Sequence, residues 1–301
     1  MQIPKFKSQK REIDTQDYGT LYVVATPLGN LEDLTFRALK VLKGADLIAA
    51  ETLSHSRSLC QHYGIRTKLV SYNQHNQEIR TPDLVGRLKS GLNIALVTNA
   101  GTPGVSDPGA LLASQALTEH IRVIPVPGPS AVASALSVSG FRAERFVFMG
   151  FLSNRSARRR RELETLISEP RTSVFFEAPH RVRSMLQDCL EILGDRDMIF
   201  VREMTKIHEE VKRGSIRSIL NDLEEDHIRG EFTLVVEGKK DDEKTRQIDE
   251  RVKKRIEKLL NENIMSLKDV AERLSQEEQL PYRKVYKACL FMRSQMQRDS
   301  L

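Results

Sequence analysis

From residue 18 onward, short and nearly continuous apolar runs alternate with stretches whose apolar positions recur every three or four residues. "TLYVVA" gives a strand over 21–25 that stops at Thr26-Pro27, with Gly29-Asn30 as a turn. Leu31, Leu34, Ala38, Leu39 and Leu42 then fall on one helical face. "DLIAAE" (46–51), "TKLVSY" (67–72), "NIALV" (93–97) and "IRVIPV" (121–126) are further strands, with helical patterns in "SHSRSLCQHYGI", "GALLASQALTEH" and "SAVASALSVSGF". Strands that are apolar on both faces and separated by helices predict an α/β domain over 18–140, with a mainly parallel sheet covered on both sides.

The pattern changes near residue 141. "RFVFMGFL", "TSVFFEAPHR", "DMIFVREMTK" and "GEFTLVVEG" read as four or so strands, "NRSARRRRELETLI" and "RVRSMLQDCLEILG" as helices, and "VKRGSIRSILNDLEE" as a turn and helix. This predicts a second α/β domain over 141–239. The first 17 residues are polar and basic (Lys5, Lys7, Lys10, Arg11) and read as a flexible arm. A mixed-charge linker follows 239. The chain then ends in a small helical tail of helix-turn-helix type within 240–301, with Ser266 as an N-cap, Asp269 in the first turn and Pro281 opening the last helix.

Composition narrows the class. With 40% hydrophobic and 29% charged residues, the 301-residue chain is an ordinary soluble globular protein. Three scattered cysteines (Cys60, Cys189, Cys289) argue against a disulfide framework and fit a reducing cytosol, so a cytoplasmic location is expected. No apolar run suggests a secretory leader or a membrane span. Neither HExxH nor a Cys/His cluster occurs, so no metal is expected. The net charge of +6 permits an anionic partner, and Arg155, Arg158, Arg159, Arg160 and Arg161 concentrate it at a helix start, where planar guanidinium groups suit phosphates.

The most informative segment is "VTNAGTPGVSDPGALL" (97–112), at the carboxyl end of a strand, where parallel sheets bind ligands. It fits neither the GxxxxGK[ST] nor the GxGxxG pattern. It contains no Lys or Arg, and its one formal charge is Asp107. Such a loop suits a neutral or cationic ligand held by backbone groups and small hydroxyls such as Thr98, Thr102 and Ser106. "TPLGNLED" (26–33) and "PVPGPSAV" (125–132) are loops of the same kind.

These three loops, with "FFEAPHR", "REMTK" and "GEFTLVVEG", resemble in order and spacing the tetrapyrrole-methylase superfamily, and within it the ribosomal RNA small-subunit methyltransferase I group. The resemblance spans 19–238, and the helical tail separately resembles the group's C-terminal extension. It implies two α/β domains of tetrapyrrole-methylase type and S-adenosylmethionine as cofactor. The implied chemistry is methylation of a cytidine ribose 2′-oxygen in 16S rRNA or the small ribosomal subunit, by a homodimer. It further implies a cofactor pocket made by Pro27, Asn99, Gly101, Thr102, Pro103, Val105, Ser106, Ser130 and Ala131, closed by Phe176, Glu177, Phe232 and Thr233. Motif positions offer Glu32, Asp33, Asp107, His180, Glu203 and Glu231 as proton acceptors, unranked, and Lys206 to activate the hydroxyl or hold a phosphate. Two departures stand out. The group reads "SDAGTP" and "AEDTR" where this chain has "TNAGTP" and "AETLSHS", so Asn99 replaces an acid and Thr52, Leu53 and Ser54 replace Asp, Thr and Arg. Two other readings stay open: a methyltransferase acting on a tetrapyrrole-type small molecule, and an RNA-binding relative with impaired catalysis.

Overall fold

The structure, a computed structural model, describes residues 17–223, 228–240, 248–262, 265–278 and 280–299. It divides into two compact units, 1–239 and 240–301. The arm expected over 1–17 lies outside the described residues, Asp17 apart.

The first sheet of the larger unit contains β1 (Thr20–Val24), β2 (Leu47–Ala50), β3 (Lys68–Ser71), β4 (Ile94–Val97) and β5 (Arg122–Val126), in the order β3-β2-β4-β1-β5. Every pairing is parallel. Residues of β2 and β4 are buried throughout, which is why these runs show no alternation. Helices α1 (Phe36–Gly44) and α2 (Leu53–His62) cover one face through Ala38, Leu42 and Cys60, packed with Val24, Ile48 and Val97. Helices α3 (Gln77–Lys89) and α4 (Ala110–Thr118) cover the other through Leu84, Leu88, Leu112 and Ala116. The α3 helix escapes the sequence reading because Pro82 sits inside it and its start is polar, although Thr81, Leu84, Val85 and Leu88 keep helical spacing.

The second sheet has the order β6-β7-β10-β8-β9, formed by β6 (Phe146–Phe151), β7 (Thr172–Glu177), β8 (Asp197–Arg202), β9 (Glu210–Ser215) and β10 (Phe232–Val236). Only β6 and β7 run parallel; the other pairs are antiparallel. A five-stranded sheet replaces the four or so strands expected. The added strand, β9, reads "EVKRGS", and as an edge strand it carries a single apolar residue, Val211. Helix α5 (Ala131–Ser139) falls on the first side of the expected boundary at 140/141. Yet its Val132, Ala135 and Leu136 pack on the second sheet against Val174, Ile199 and Val235. By packing, the second layer therefore begins near Ser130.

Helices α6 (Ser156–Glu164), α7 (Pro179–Leu193) and α8 (Ile216–Asn221) cover the opposite face of this sheet. The arginine run of α6 is divided by this packing. Arg159 is buried, and its Nε and Nη2 lie 2.7 and 2.6 Å from Asp188 Oδ2 of α7. Arg160 Nη1 reaches Asp188 Oδ1 at 2.8 Å and Glu191 Oε2 at 2.6 Å. Arg159 is thus a tie between two helices and is withdrawn from the surface cations expected to meet RNA.

The smaller unit is a three-helix cluster of α9 (Glu250–Asn261), α10 (Leu267–Glu277) and α11 (Tyr282–Asp299) around Val252, Ile256, Val270, Leu274, Val285 and Cys289. Ser266 and Asp269 form a reciprocal capping box at the start of α10. Among the described residues, no helix is long and apolar enough to cross a membrane.

Removing one partner of a buried pair strands the other charge, whereas an exposed i,i+4 pair contributes little. Arg159→Gln should therefore lower unfolding free energy by about 3 kcal/mol, and Arg158→Gln, which loses the exposed bond to Glu162, by less than about 0.5 kcal/mol. Urea denaturation checks this; equal costs for the two would refute the division of roles.

Candidate active site

The loops after β1 and β4 leave adjacent strands of the first sheet in opposite directions, towards β2 and β5. Their backbones bond to each other: Thr26 N–H donates to Gly101 C=O at 2.9 Å and Gly101 N–H returns a bond to Thr26 C=O at 3.0 Å. Gly101 adopts φ +73°, where a side chain is strained. The Thr26 hydroxyl donates to Thr98 C=O at 3.0 Å, and the Thr102 hydroxyl to Pro129 C=O at 3.4 Å. All three predicted loops are thereby fastened together. Ser130 caps α5, its hydroxyl accepting from Ala133 N–H.

The second sheet closes against these loops at two points. A Cβ on Gly150 of β6, at φ +61°, would stand 2.6 Å from Ser106 Oγ, and one on Gly29 would stand 2.2 Å from Lys206 Cγ. Ser106, Glu203 and Thr205 have positive φ without being glycine, and Asn30 N–H donates to the Thr205 hydroxyl at 3.1 Å.

These contacts enclose a cavity of about 350 Å³. Of the predicted pocket residues, Asn99, Gly101, Thr102, Val105, Ser106, Ser130, Ala131, Phe176, Glu177, Phe232 and Thr233 line it. Pro27 instead lines an adjoining cavity of about 700 Å³, and Pro103 lines neither. Sequence reading missed Leu28, Glu51, Phe151, Val201 and Met204 in the first cavity. Glu51 carried a readable signal, an acid directly after a fully buried strand at its carboxyl end.

The wall of the first cavity has a one-sided charge. Among the described residues it contains the carboxylates Glu51, Asp107, Glu177 and Glu231 and no Lys, Arg or His. Burial, then the neighbouring Glu51 charge, push Asp107 up to about 6, with the Thr98 hydroxyl bond pulling the other way. Glu51 Oε2 accepts from Asn99 N–H at 3.0 Å. Glu177 Oε1 is occupied by Ala178 N–H and the Arg181 guanidinium, at 2.8 and 2.7 Å. Glu177 Oε2 and Asn99 Oδ1 are buried acceptors with no protein donor. Leaving such atoms unsatisfied costs about 1–3 kcal/mol each, which a ligand offering N–H or O–H donors relieves.

The adjoining cavity shares Leu28, Asn99, Ala100 and Glu231 with the first and is rich in hydroxyls: Thr26, Thr52, Ser54, Ser56, Ser58 and Thr98. Thr52 and Ser54, two of the three residues that depart from the expected motif, belong to this wall. Its cationic side chain is Lys206, whose ammonium lies 2.8 Å from Glu203 Oε1 and 3.4 Å from Glu231 Oε2. Burial works against that charge, but the Glu203 hydrogen bond and the charges of Glu231 and Glu203 outweigh it and hold the ammonium above its ordinary range. Glu203 is likewise a net-stabilised carboxylate: burial opposes ionisation, and bonds from Lys206 and the Glu231 N–H overcome it.

Of the predicted proton acceptors, the structure brings only Asp107 and Glu231 to the first cavity, with Lys206 at the second. Glu203 supports Lys206 from outside both. Glu32 is exposed beside its Asn30 cap, His180 is exposed in the first turn of α7, and Asp33 is half-buried; none of the three lines either cavity. Arg158 and Arg161 of α6 and its N-cap Arg155 are exposed, and the helix follows the cavity-lining Phe151 closely in the chain. Among the described residues, no cluster of three or more His, Cys, Asp or Glu side chains could hold a metal ion.

Residues 20–220 match the family described as Tetrapyrrole (Corrin/Porphyrin) Methylases. A Halalkalibacterium halodurans protein named ribosomal RNA small subunit methyltransferase I is 47% identical over 232 residues, covering 77% of this chain and 80% of the relative. A Bacillus subtilis protein of the same name is 42% identical over 280 residues, 90% of this chain and 94% of the relative. Among solved structures, a uroporphyrin-III C-methyltransferase from Thermus thermophilus complexed with S-adenosyl homocysteine superposes with a TM-score of 0.55 at 19% identity, over 73% of this chain and 97% of the other. The chain belongs to the tetrapyrrole methylase family, in the same group as the relatives named ribosomal RNA small subunit methyltransferase I.

Proposed function

We propose that this protein is an S-adenosylmethionine-dependent methyltransferase that modifies the ribose 2′-oxygen of a cytidine in 16S rRNA. The observation that carries the cofactor assignment is the first cavity, whose described residues include four carboxylates, no basic side chain and two buried acceptors awaiting donors. A sulfonium nucleoside with an ammonium group and hydroxyls matches that wall, and a phosphorylated nucleotide does not. Relatives 40–47% identical across most of the chain, all named for the small-subunit rRNA, support the substrate class. They favour it over a tetrapyrrole substrate of the kind named for the uroporphyrin-III and cobalt precorrin-4 methyltransferases among the structural neighbours, which share only 16–23% of the sequence. The same reading makes the protein a cytoplasmic homodimer, with Arg155, Arg158 and Arg161 meeting RNA phosphates beside the cleft.

When bound, the cofactor supplies a methyl group on a cationic sulfur. Glu51 and Asp107 balance that charge, and Asn99 Oδ1 and Glu177 Oε2 accept its donors. Asn in place of Asp at 99 spares Asp107 a further neighbouring negative charge, so the departure from the group's motif keeps the cavity acidic without over-crowding it. The target ribose enters the adjoining cavity. Lys206, held protonated, donates to the ribose oxygen or its phosphate and favours the alkoxide-like form. Glu231, shared by both cavities, stands where the departing proton is released. Positioning the oxygen in line with the methyl carbon is the main source of rate.

Three outcomes follow. A ribose-methylation map of rRNA from cells lacking the gene should lose one cytidine 2′-O-methyl mark; an unchanged map removes the substrate assignment. Lys206→Met should lower kcat about 100-fold while cofactor affinity measured by calorimetry stays within about twofold; a purely structural role would depress both. Because Asp107 titrates near 6 in the free protein and a bound cation favours its ionised form, cofactor Kd should rise towards tenfold per unit as pH falls below about 6. Asp107→Asn should bind more weakly at pH 7.5 and lose that dependence; a wild-type Kd that is flat from pH 7 to 5 contradicts the assignment.

A further inference from the structure

Charge is organised differently within the helical tail. On α9 and α10 the arginines and Lys253 are answered locally, Arg251 and Arg255 by Glu278, Arg273 by Glu277 and Lys253 by Glu250. Lys254, Lys258 and Lys268 form no ion pair among the described residues but share these helices with Glu250, Glu257, Asp269, Glu272 and Glu277. Helix α11 differs in having no acidic residue beside its cations over most of its length. Over 282–296 it carries Arg283, Lys284, Lys287 and Arg293 and no Asp or Glu. None of these four has an ion-pair partner among the described residues.

The helical period then sorts the side chains. Val285 and Cys289 are buried in the three-helix core. Arg283, Lys287, Leu290, Phe291 and Ser294 recur at i, i+4, i+7, i+8 and i+11 and are all exposed. Phe291 is 62% exposed and Leu290 45%, amid cations, where an apolar ring gains nothing from water. At the start of the helix, Tyr282 is exposed and stacks on Tyr286 at 5.8 Å with an interplanar angle of 18°. Uncompensated cations track a phosphate backbone, and projecting aromatic rings stack on unpaired bases.

We propose that the solvent face of α11 is a contact surface for single-stranded RNA, used in addition to the cleft. A second copy of the chain is a poor occupant, since a two-fold contact would set these cations against their own kind. A lipid surface is disfavoured because only two apolar side chains project beyond the cations. The proposal rests on the rRNA reading for its biological partner but not for its chemistry, which is sequence-independent.

The test uses the full chain. Fluorescence anisotropy with a labelled small-subunit rRNA fragment and with a labelled mixed-sequence oligoribonucleotide, across a KCl series, is compared for wild type, Arg283→Gln/Lys284→Gln/Lys287→Gln, Phe291→Ala and the control Lys253→Gln. The triple variant should lose about tenfold or more in affinity, and its salt slope should fall by about 2, as for three lost phosphate contacts on a single strand. Phe291→Ala should lose about fivefold with an unchanged slope, the size of one base stack. Lys253→Gln, S-adenosylmethionine affinity and helical circular dichroism should not move. Wild-type affinity and slope in the triple variant overturn the proposal. So does a triple variant that keeps its RNA affinity but changes sedimentation or binding to phosphatidylcholine–phosphatidylglycerol vesicles, which would assign the face to a second copy or to lipid. If the triple variant loses RNA binding while the wild type leaves no cytidine mark, the surface stands and the proposed function falls. If the mark is made and the triple variant binds normally, only this inference falls.

Discussion

The site depends on two close approaches between loops of one sheet and the backbone of the other: Ser106 against Gly150, and the Lys206 stem against Gly29. Any larger residue at either glycine would drive the layers apart and open the cavities to solvent. The strain this requires is local. Ser106, Glu203 and Thr205 hold left-handed backbone conformations; Ser106 and Thr205 touch the opposite layer at Gly150 and Asn30, and Glu203 anchors the Lys206 that packs on Gly29. Bonds between the first and second loops, and between the second and third, make the opposing surface a single rigid wall.

Electrostatic character follows from that enclosure. Carboxylates at the ends of β2 and β7 and in the loop after β4 converge on a partly desolvated space, and burial first, then the neighbouring Glu51 charge, push Asp107 up to about 6. A cation entering the space is stabilised by charges already in place, without reorganising the protein. The neighbouring cavity is different. Hydroxyls and one deeply paired ammonium dominate it, which suits a polar, partly anionic substrate such as a nucleotide within RNA. Two compartments of different character share Glu231 and Asn99 as a wall, and in the proposed function one would take the methyl donor and the other the acceptor.

Much of this was legible in the sequence. The parallel sheet was readable because buried strands must be apolar on both faces, and the phosphate-free loop was readable because it lacks any basic residue. What escaped has physical reasons. Helix α3 is masked by Pro82, and β9 by being an edge strand with little apolar content. Helix α5 looked like part of the first domain because chain order does not reveal which sheet an amphipathic helix covers. Arg159 looked like its neighbours in the arginine run, yet helical phase turns it inward to Asp188. The tying of Glu203 to Lys206, and the exclusion of Glu32, Asp33 and His180 from the cavities, depend on three-dimensional convergence that residue spacing does not encode.

The central claim is that the enclosed carboxylate wall selects a cationic nucleoside and rejects an anionic one. Isothermal titration of the full-length protein with S-adenosylmethionine and, separately, with ATP tests it most directly, because the two share the adenosine and differ in the sign of their charge. Saturable heat with S-adenosylmethionine in the micromolar range and none with ATP is the predicted result. Comparable binding of both, or of ATP alone, would contradict the account.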